Sequence, residues 1–173
     1  MNERYFIAIS LPKDVSRHIE AIQKEILEGH PVMKPFQPHI TLVPPNVLDS
    51  LPVETYVPRF KTVAQHYLPI SIKLARTRTF ENRVLYIEVE GPELINLQSE
   101  LMKLLPQAAI DKSNRDFVPH VTLAQAKPNQ ELADELKNRL NFKIEAILPY
   151  KFTAEYISKF KWLKPRTYED NAI

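Results

Sequence analysis

With 173 residues the chain is long enough for one domain, or for two small lobes sharing a core, since about 150 residues already bury roughly 68–70% of their unfolded surface. Hydrophobic residues at 44% and charged ones at 25% exclude intrinsic disorder, and a net charge of +2 is too small for a surface that coats polyanions, although a single phosphate needs only local positive potential. The absence of cysteine removes disulfides, thiolate nucleophiles and cysteine-ligated zinc together, and two glycines, Gly29 and Gly91, are too few for a phosphate loop or a dinucleotide fingerprint.

The opening segment, Arg4 to Ser10, reads as a strand. It lacks the apolar length of a signal peptide, and no segment approaches the roughly 20 apolar residues that span a bilayer, so a soluble cytoplasmic protein with no membrane partner is expected. A helix from about Pro12 to Glu28 carries Val15, Ile19, Ile22 and Ile26 on one face, with Pro12 in its first turn and Gly29 at its end. A strand to about Val43 follows, then a helix over about Pro52 to Gln65 that Pro58 interrupts, then an extended stretch from Ile70 to Thr77. Asn82 belongs to a turn, and Arg83 to Glu90 alternates so that Leu85, Ile87 and Val89 face a core. Pro92 opens a helix buried through Leu94, Leu97, Leu101 and Leu104.

A further strand ends near Gln125, Leu132, Leu136 and Leu140 mark a helix over Gln130 to Leu140, and Phe142 to Leu148 is extended. One strand or a pair of short ones covers Lys151 to Trp162, leaving a polar tail, Lys164 to Ile173, that is expected to fray. The order strand, helix, motif strand, helix, strand thus occurs twice. It predicts an α+β, bilobal fold of two pseudo-symmetric lobes of antiparallel sheet, with helices packed outside. The lobes cover about 1–78 and 79–173 of a single domain, with strand exchange between them allowed, and the boundary falls near Arg76 to Asn82. No apolar face is left over once the core stripes are assigned, so a monomer is expected.

Two heptapeptides dominate the chemistry. Phe36-Gln37-Pro38-His39-Ile40-Thr41-Leu42 and Phe117-Val118-Pro119-His120-Val121-Thr122-Leu123 agree at five of seven positions, a match expected by chance about once in a few hundred such chains. Residues i and i+2 share a face of a strand, so His39 projects with Thr41 and His120 with Thr122, while Ile40, Leu42, Val121 and Leu123 turn into the core. Two such histidines can flank one phosphate, the neutral one taking a proton from water and the protonated one giving a proton to the leaving oxygen. Both states are accessible near the ordinary histidine pKa of about 6.5. The threonine hydroxyls can donate to the non-bridging oxygens, which completes an acid, a base and oxyanion donors without a metal or cofactor.

A lone strand histidine is more often structural than catalytic, and only the duplication reverses that reading. A zinc site fits less well, because it needs at least three ligands and neither motif has a histidine or carboxylate neighbour at ligand spacing. His18, His30 and His66 carry no comparable pattern. Phe36 and Phe117 stand three residues before each histidine, which favours a core role over stacking on a base; Tyr86 and Tyr156 are alternative rim aromatics. Arg76, Arg78 and Arg83 surround the crossover between the halves, and Lys151, Lys159, Lys161, Lys164 and Arg166 make the C-terminal segment basic. A charge run is more often a solvated face than a binding surface. Arg83 and Tyr86 are the candidates for additional substrate contacts.

The paired His-x-Thr-Leu tetrapeptides, at 39–42 and 120–123, resemble the HXTX signature of the 2H phosphoesterase superfamily, the 2′-5′ RNA ligase-like proteins and cyclic nucleotide phosphodiesterases, in particular its bacterial YjcG-like branch. The resemblance spans essentially the whole chain. It implies a bilobal fold with a central cleft and metal-independent hydrolysis of a 2′,3′-cyclic phosphate or related phosphodiester on an RNA end or small nucleotide. It also implies that His39 is the proton donor, His120 the proton acceptor, and Thr41 and Thr122 the phosphate-binding residues. Two other functions use the same residues: 2′-5′ RNA ligation, which product analysis distinguishes, and non-catalytic recognition of a nucleotide or RNA end, which predicts binding without turnover.

Overall fold

The computed structural model describes residues 3–28, 33–35, 37–113, 115–126, 130–132, 134, 136–139, 150–163 and 167–173. The chain opens with β1 (Tyr5–Ser10), in which Ile7 and Ile9 point into the main core while Phe6 and Ala8 point to the opposite face. Helix α1 (Lys13–Leu27) buries Val15, Ile19, Ile22 and Ile26, the row its apolar spacing predicts. After β2 (Met33–Pro35) comes β3 (His39–Val43), followed by α2 (Pro45–Leu48) and α3 (Val53–Tyr67). Pro58 does not break α3. Burial of Val53, Phe60 and Ala64 along one side holds the helix through the amide that proline cannot donate.

Strands β4 (Ile70–Phe80) and β5 (Val84–Glu90) form a hairpin whose turn holds Glu81 and Asn82 at φ 48° and 55°. Helices α4 (Pro92–Lys103) and α5 (Gln107–Ile110) precede β6 (His120–Ala126), and β7 (Lys151–Ala154), β8 (Ser158–Leu163) and β9 (Thr167–Ala172) complete the chain. Residues 134 and 136–139 are helical, with Leu132 and Leu136 buried. The extended stretch expected at Phe142 to Leu148 and the helix end at Leu140 lie outside the described residues. The tail expected to fray is instead strand from Thr167 to Ala172, held by a backbone ladder along β8 that its polar side chains do not advertise.

All the described strands join one antiparallel sheet, in the order β7-β4-β5-β6-β3-β1-β8-β9, with β2 on β6 beside β3. The fold is α+β. The helices cover one face, where their buried rows meet Ile40, Leu42, Ile72, Leu74, Ile87, Val121 and Leu123 in the main core. Strand β4, from the first half of the chain, lies between β5 and β7, while β8 and β9, from the second half, lie beside β1. The two motif strands meet at the middle of the sheet through the single pair Ile40 and Val121.

The two arms of the sheet match residue by residue about that seam. Ser10 stands opposite His39 and Ala8 opposite Thr41; Glu88 stands opposite His120 and Tyr86 opposite Thr122. In both arms the register then slips by one. Val43 pairs with Ile7, which leaves Leu42 as the extra residue of a β-bulge, and Ala124 pairs with Leu85, which leaves Leu123 as the extra residue of another. The repeated leucine of the motif is therefore the bulge residue in both copies. Each bulge puts two consecutive side chains into the core, Leu42 with Val43 and Leu123 with Ala124, all buried. A bulge also leaves a ladder carbonyl unpaired, and buried Gln23 on α1 donates to the Leu123 carbonyl at 2.7 Å.

Candidate active site

The Ile40–Val121 pair fixes how the motifs face each other. In an antiparallel pair the same register carried one residue either way brings His39 alongside Thr122 and Thr41 alongside His120. All four side chains belong to one face of the sheet, because Ile40, Leu42, Val121 and Leu123 occupy the other, which the helices cover. Each histidine is thus next to its own threonine along the strand and the other threonine across the seam.

Both rings are pinned in the same way. Nδ1 of His39 lies 2.7 Å from the Gln37 carbonyl, and Nδ1 of His120 lies 2.6 Å from the Val118 carbonyl, two residues back in each case. A carbonyl only accepts, so Nδ1 carries the hydrogen and Nε2 is the nitrogen that exchanges a proton. Stacked aromatics back each ring. Phe6 and Phe160, 4.9 Å apart, lie 5.0 and 5.4 Å from the His39 ring. Phe80 and Tyr86, 4.0 Å apart, present their neighbour His120 with edge contacts at 5.1 and 5.2 Å.

This apolar backing sets the electrostatics. Burial pushes the His39 pKa down to about 4, the bond to the Gln37 carbonyl partly offsets it, and the charge of His120 lowers it further. His120 is lowered as well, again by burial, with the Val118 carbonyl working in the opposite direction. The effect of His120 on His39 places the two imidazoles within electrostatic reach, and in both the uncharged form is favoured.

A cavity of about 670 Å³ opens on this face, lined by Thr41, His120 and Thr122 from the motifs, by Phe80 and Val84 from the hairpin, and by the segment Arg115–Val118 among others. Three of the four motif side chains therefore line one cavity; His39 is beside it, half-buried between its two phenylalanines. Phe117 is half-buried and belongs to both the core and the cavity wall, whereas Phe36 lies outside the described residues. Tyr86 touches His120 but is itself buried, and Tyr156 is exposed away from the motifs' described contacts. Among the described residues, Arg83 does not line the cavity and its buried Nε has no hydrogen-bond partner; it shares the strand parity of the core residues Leu85 and Ile87. Lys159 and Lys161 are paired with Glu54 and Glu3. Lys164 and Arg166 lie outside the described residues.

Sequence reasoning missed Phe6, Phe80 and Phe160 as supports of the histidines. Phe6 was available from period-two alternation, since it stands off the Ile7–Ile9 core row. Phe80 was not, because β4 changes face midway.

The 2′-5′ RNA ligase superfamily model matches residues 11–162, and the chain belongs to that superfamily, the 2H phosphoesterases. A Bacillus cytotoxicus protein named “Putative phosphoesterase” is 35% identical over 121 residues, 64% of this chain and 67% of that one. A Geobacillus protein of the same name is 29% identical over 133 residues, 76% of this chain and 74% of its own length. Among solved structures, TT0787 of Thermus thermophilus shares the fold with a TM-score of 0.71 at 21% identity, covering 98% of this chain and 94% of the other. Escherichia coli LigT complexed with 3′-AMP shares it with a TM-score of 0.61 at 18% identity, covering 99% and 95%.

Proposed function

We propose that the protein is a metal-independent phosphoesterase that opens a 2′,3′-cyclic phosphate, or a related RNA or nucleotide phosphodiester, by two-histidine acid–base catalysis. The observation that carries this reading is the matched pinning of both imidazoles, each by its Nδ1 on the carbonyl two residues back, on motif strands that meet at one residue pair.

In the proposed reaction the phosphate sits between Thr41 and Thr122, whose hydroxyls donate to its non-bridging oxygens. Nε2 of His120 takes a proton from water as the water oxygen bonds to phosphorus. Nε2 of protonated His39 gives its proton to the ester oxygen as the phosphorus–oxygen bond to that oxygen breaks. His39 as donor and His120 as acceptor are the roles the family resemblance implies; because burial pushes His39 down to about 4, the bound anion must charge it before it can donate. LigT in complex with 3′-AMP, the product such a reaction would form from an adenosine cyclic phosphate, supports nucleotide chemistry in this fold.

The test is hydrolysis of the four nucleoside 2′,3′-cyclic monophosphates in chelator by the native chain, His39→Ala and His120→Ala, with 2′- and 3′-phosphate products resolved. The expected result is turnover in the native chain reduced about 10²–10⁴-fold in each variant, the range for loss of a general acid or base. Undiminished turnover in both variants overturns the mechanism.

A further inference from the structure

Strand β4 changes face halfway along its length. Ile70, Ile72 and Leu74 are buried in the core, and strict alternation would send Arg76, Arg78 and Phe80 after them. Leu74 pairs with Val89, yet Thr77 pairs with Ile87, so Ala75 and Arg76 together stand opposite the single residue Glu88. This third β-bulge turns Arg76, Arg78 and Phe80 onto the face that carries His120, where Phe80 touches the His120 ring. Sheets commonly use a bulge to re-aim side chains beside an active site.

The arginines are held there by Glu88, the residue opposite His120 in the ladder. Nε of Arg76 and Nε of Arg78 both donate to the same oxygen, Glu88 Oε2, at 3.0 and 3.1 Å. Burial alone would raise the Glu88 carboxyl, but the two arginine bonds outweigh it and hold its pKa below the ordinary range. Two guanidiniums and one carboxylate leave one net positive charge. Among the described residues the Nη groups of both arginines have no hydrogen-bond partner, and the side chains are 69% and 44% exposed. Each guanidinium is oriented at Nε and open at the fork that matches a phosphate.

Among the described residues, the matching positions of the other arm carry no charge. The matching ladder positions hold Ser10 in place of Glu88 and Ser158 in place of Arg78, with Ser158 fully buried and its Oγ 3.4 Å from that of Ser10. At these ladder positions positive charge lies on the β5–β4 side of the motifs, while Lys159 and Lys161 on the other arm are paired with Glu54 and Glu3. Arg78 is two strands from Thr122, about 10 Å at the usual strand spacing, a span an arginine side chain and a nucleotide together cover.

We propose that Arg76 and Arg78 form a second anion subsite that binds the phosphate next to the scissile one, so that the favoured substrate is an oligonucleotide with a terminal cyclic phosphate rather than a free nucleotide. This rests on the phosphoesterase reading of the cleft. The test measures binding, not turnover: a fluorescent oligonucleotide ending in a 3′-phosphate and a nucleoside 3′-monophosphate are titrated into the native chain and the double variant Arg76→Gln/Arg78→Gln at several salt concentrations. The native chain is expected to prefer the oligonucleotide by tenfold or more. The double variant loses most of that preference, and its oligonucleotide salt slope falls by about 0.7 for each phosphate it no longer neutralises, the value for single strands. An unchanged preference and slope overturn the subsite while leaving the cleft reading intact. Failure of the native chain to bind either ligand overturns both.

Discussion

Replacing His39 by glutamine removes a titrating ring whose folded and unfolded states differ in basicity, and the consequence for stability can be worked from the structure. In the unfolded chain His39 titrates near its ordinary value of about 6.5. In the fold, burial against Phe6 and Phe160 and the nearby His120 push it down to about 4. As the pH falls the unfolded state takes the proton first, so the stability that the native chain has above about pH 6.5 is lost on acidification toward pH 4. Integrating the linkage gives a loss of about 2 kcal/mol by pH 5 and about 3 kcal/mol by pH 4 from this residue. His120 is lowered too and adds in the same direction. Urea denaturation of the native chain and His39→Gln at pH 7.5 and 5 isolates the His39 share, because the carboxylates titrate alike in both. With a slope of about 1–3 kcal/mol per molar urea, the native midpoint should fall roughly 1 M further than that of the variant. Parallel midpoint shifts would mean that His39 titrates alike in both states, and would refute the desolvation of its imidazole by Phe6 and Phe160.

The same depression predicts proton uptake on ligand binding. Phosphate or a nucleoside 3′-phosphate brings the negative charge that favours the imidazolium, so affinity should rise as pH is lowered from 8 to 6, and calorimetry in buffers of different ionisation enthalpy should register protons taken up; a binding heat independent of buffer contradicts it. Gln23→Leu leaves the carbonyl at the Leu123 bulge without its donor and is expected to cost about 1–3 kcal/mol, read as a lowered thermal midpoint. Phe80→Ala removes the stack on Tyr86 and an edge contact on His120, so kcat should fall more than KM rises, with Phe80→Tyr restoring most of it. Equal damage from the tyrosine and alanine variants would show that ring packing is not what positions His120.

Much of the fold was legible because apolar periodicity reports burial directly. The row Val15, Ile19, Ile22, Ile26 marks α1 and is buried as read; of the row Leu94, Leu97, Leu101, Leu104 that marks α4, the first three are buried, while Leu104, at the helix end, is half-buried and Met102 and Leu105 are buried beside it. That the four motif residues share one face was legible for a different reason: a duplicated pattern draws notice to side chains that neither copy would single out alone. What alternation could not provide was any change of face within a strand. The bulges at Leu42, Leu123 and Ala75–Arg76 each invert the parity that follows, and a bulge is a property of two paired strands, not of one segment. Arg83 failed as a cleft residue on grounds the sequence did contain, since it shares the parity of Leu85 and Ile87. Arg76 and Arg78 lie on the histidine face against their parity, for the bulge alone returns them there. Strand β9 was missed because an edge strand needs only a backbone partner, which no side-chain pattern announces.

The three bulges also bear on how a symmetric backbone would support the asymmetric reaction proposed for it. At Leu42 and Leu123 the slip is equivalent in the two arms, and it delivers equivalent groups: a histidine bonded through Nδ1 to the carbonyl two residues back, and a threonine beside it. Two identical half-sites would leave acid and base interchangeable, because each imidazole would see the same surroundings. The neighbours break that equivalence. His39 is enclosed by Phe6 and Phe160 and opposed by Ser10, whereas His120 has Tyr86 beside it and the Arg76–Glu88–Arg78 triad on the strands beyond. In the proposed reaction an anionic chain held over that triad fixes which ester oxygen faces which imidazole, so direction comes from the substrate's charge rather than from the motifs. Reversing the charge at the triad, with Arg76→Glu and Arg78→Glu together, should then weaken binding of an oligonucleotide 3′-phosphate more than that of a nucleoside 3′-phosphate, and low salt should widen the gap. An equal loss for both ligands at every salt concentration would place the triad's influence in the general field of the cleft and leave the direction of the reaction to the histidines themselves.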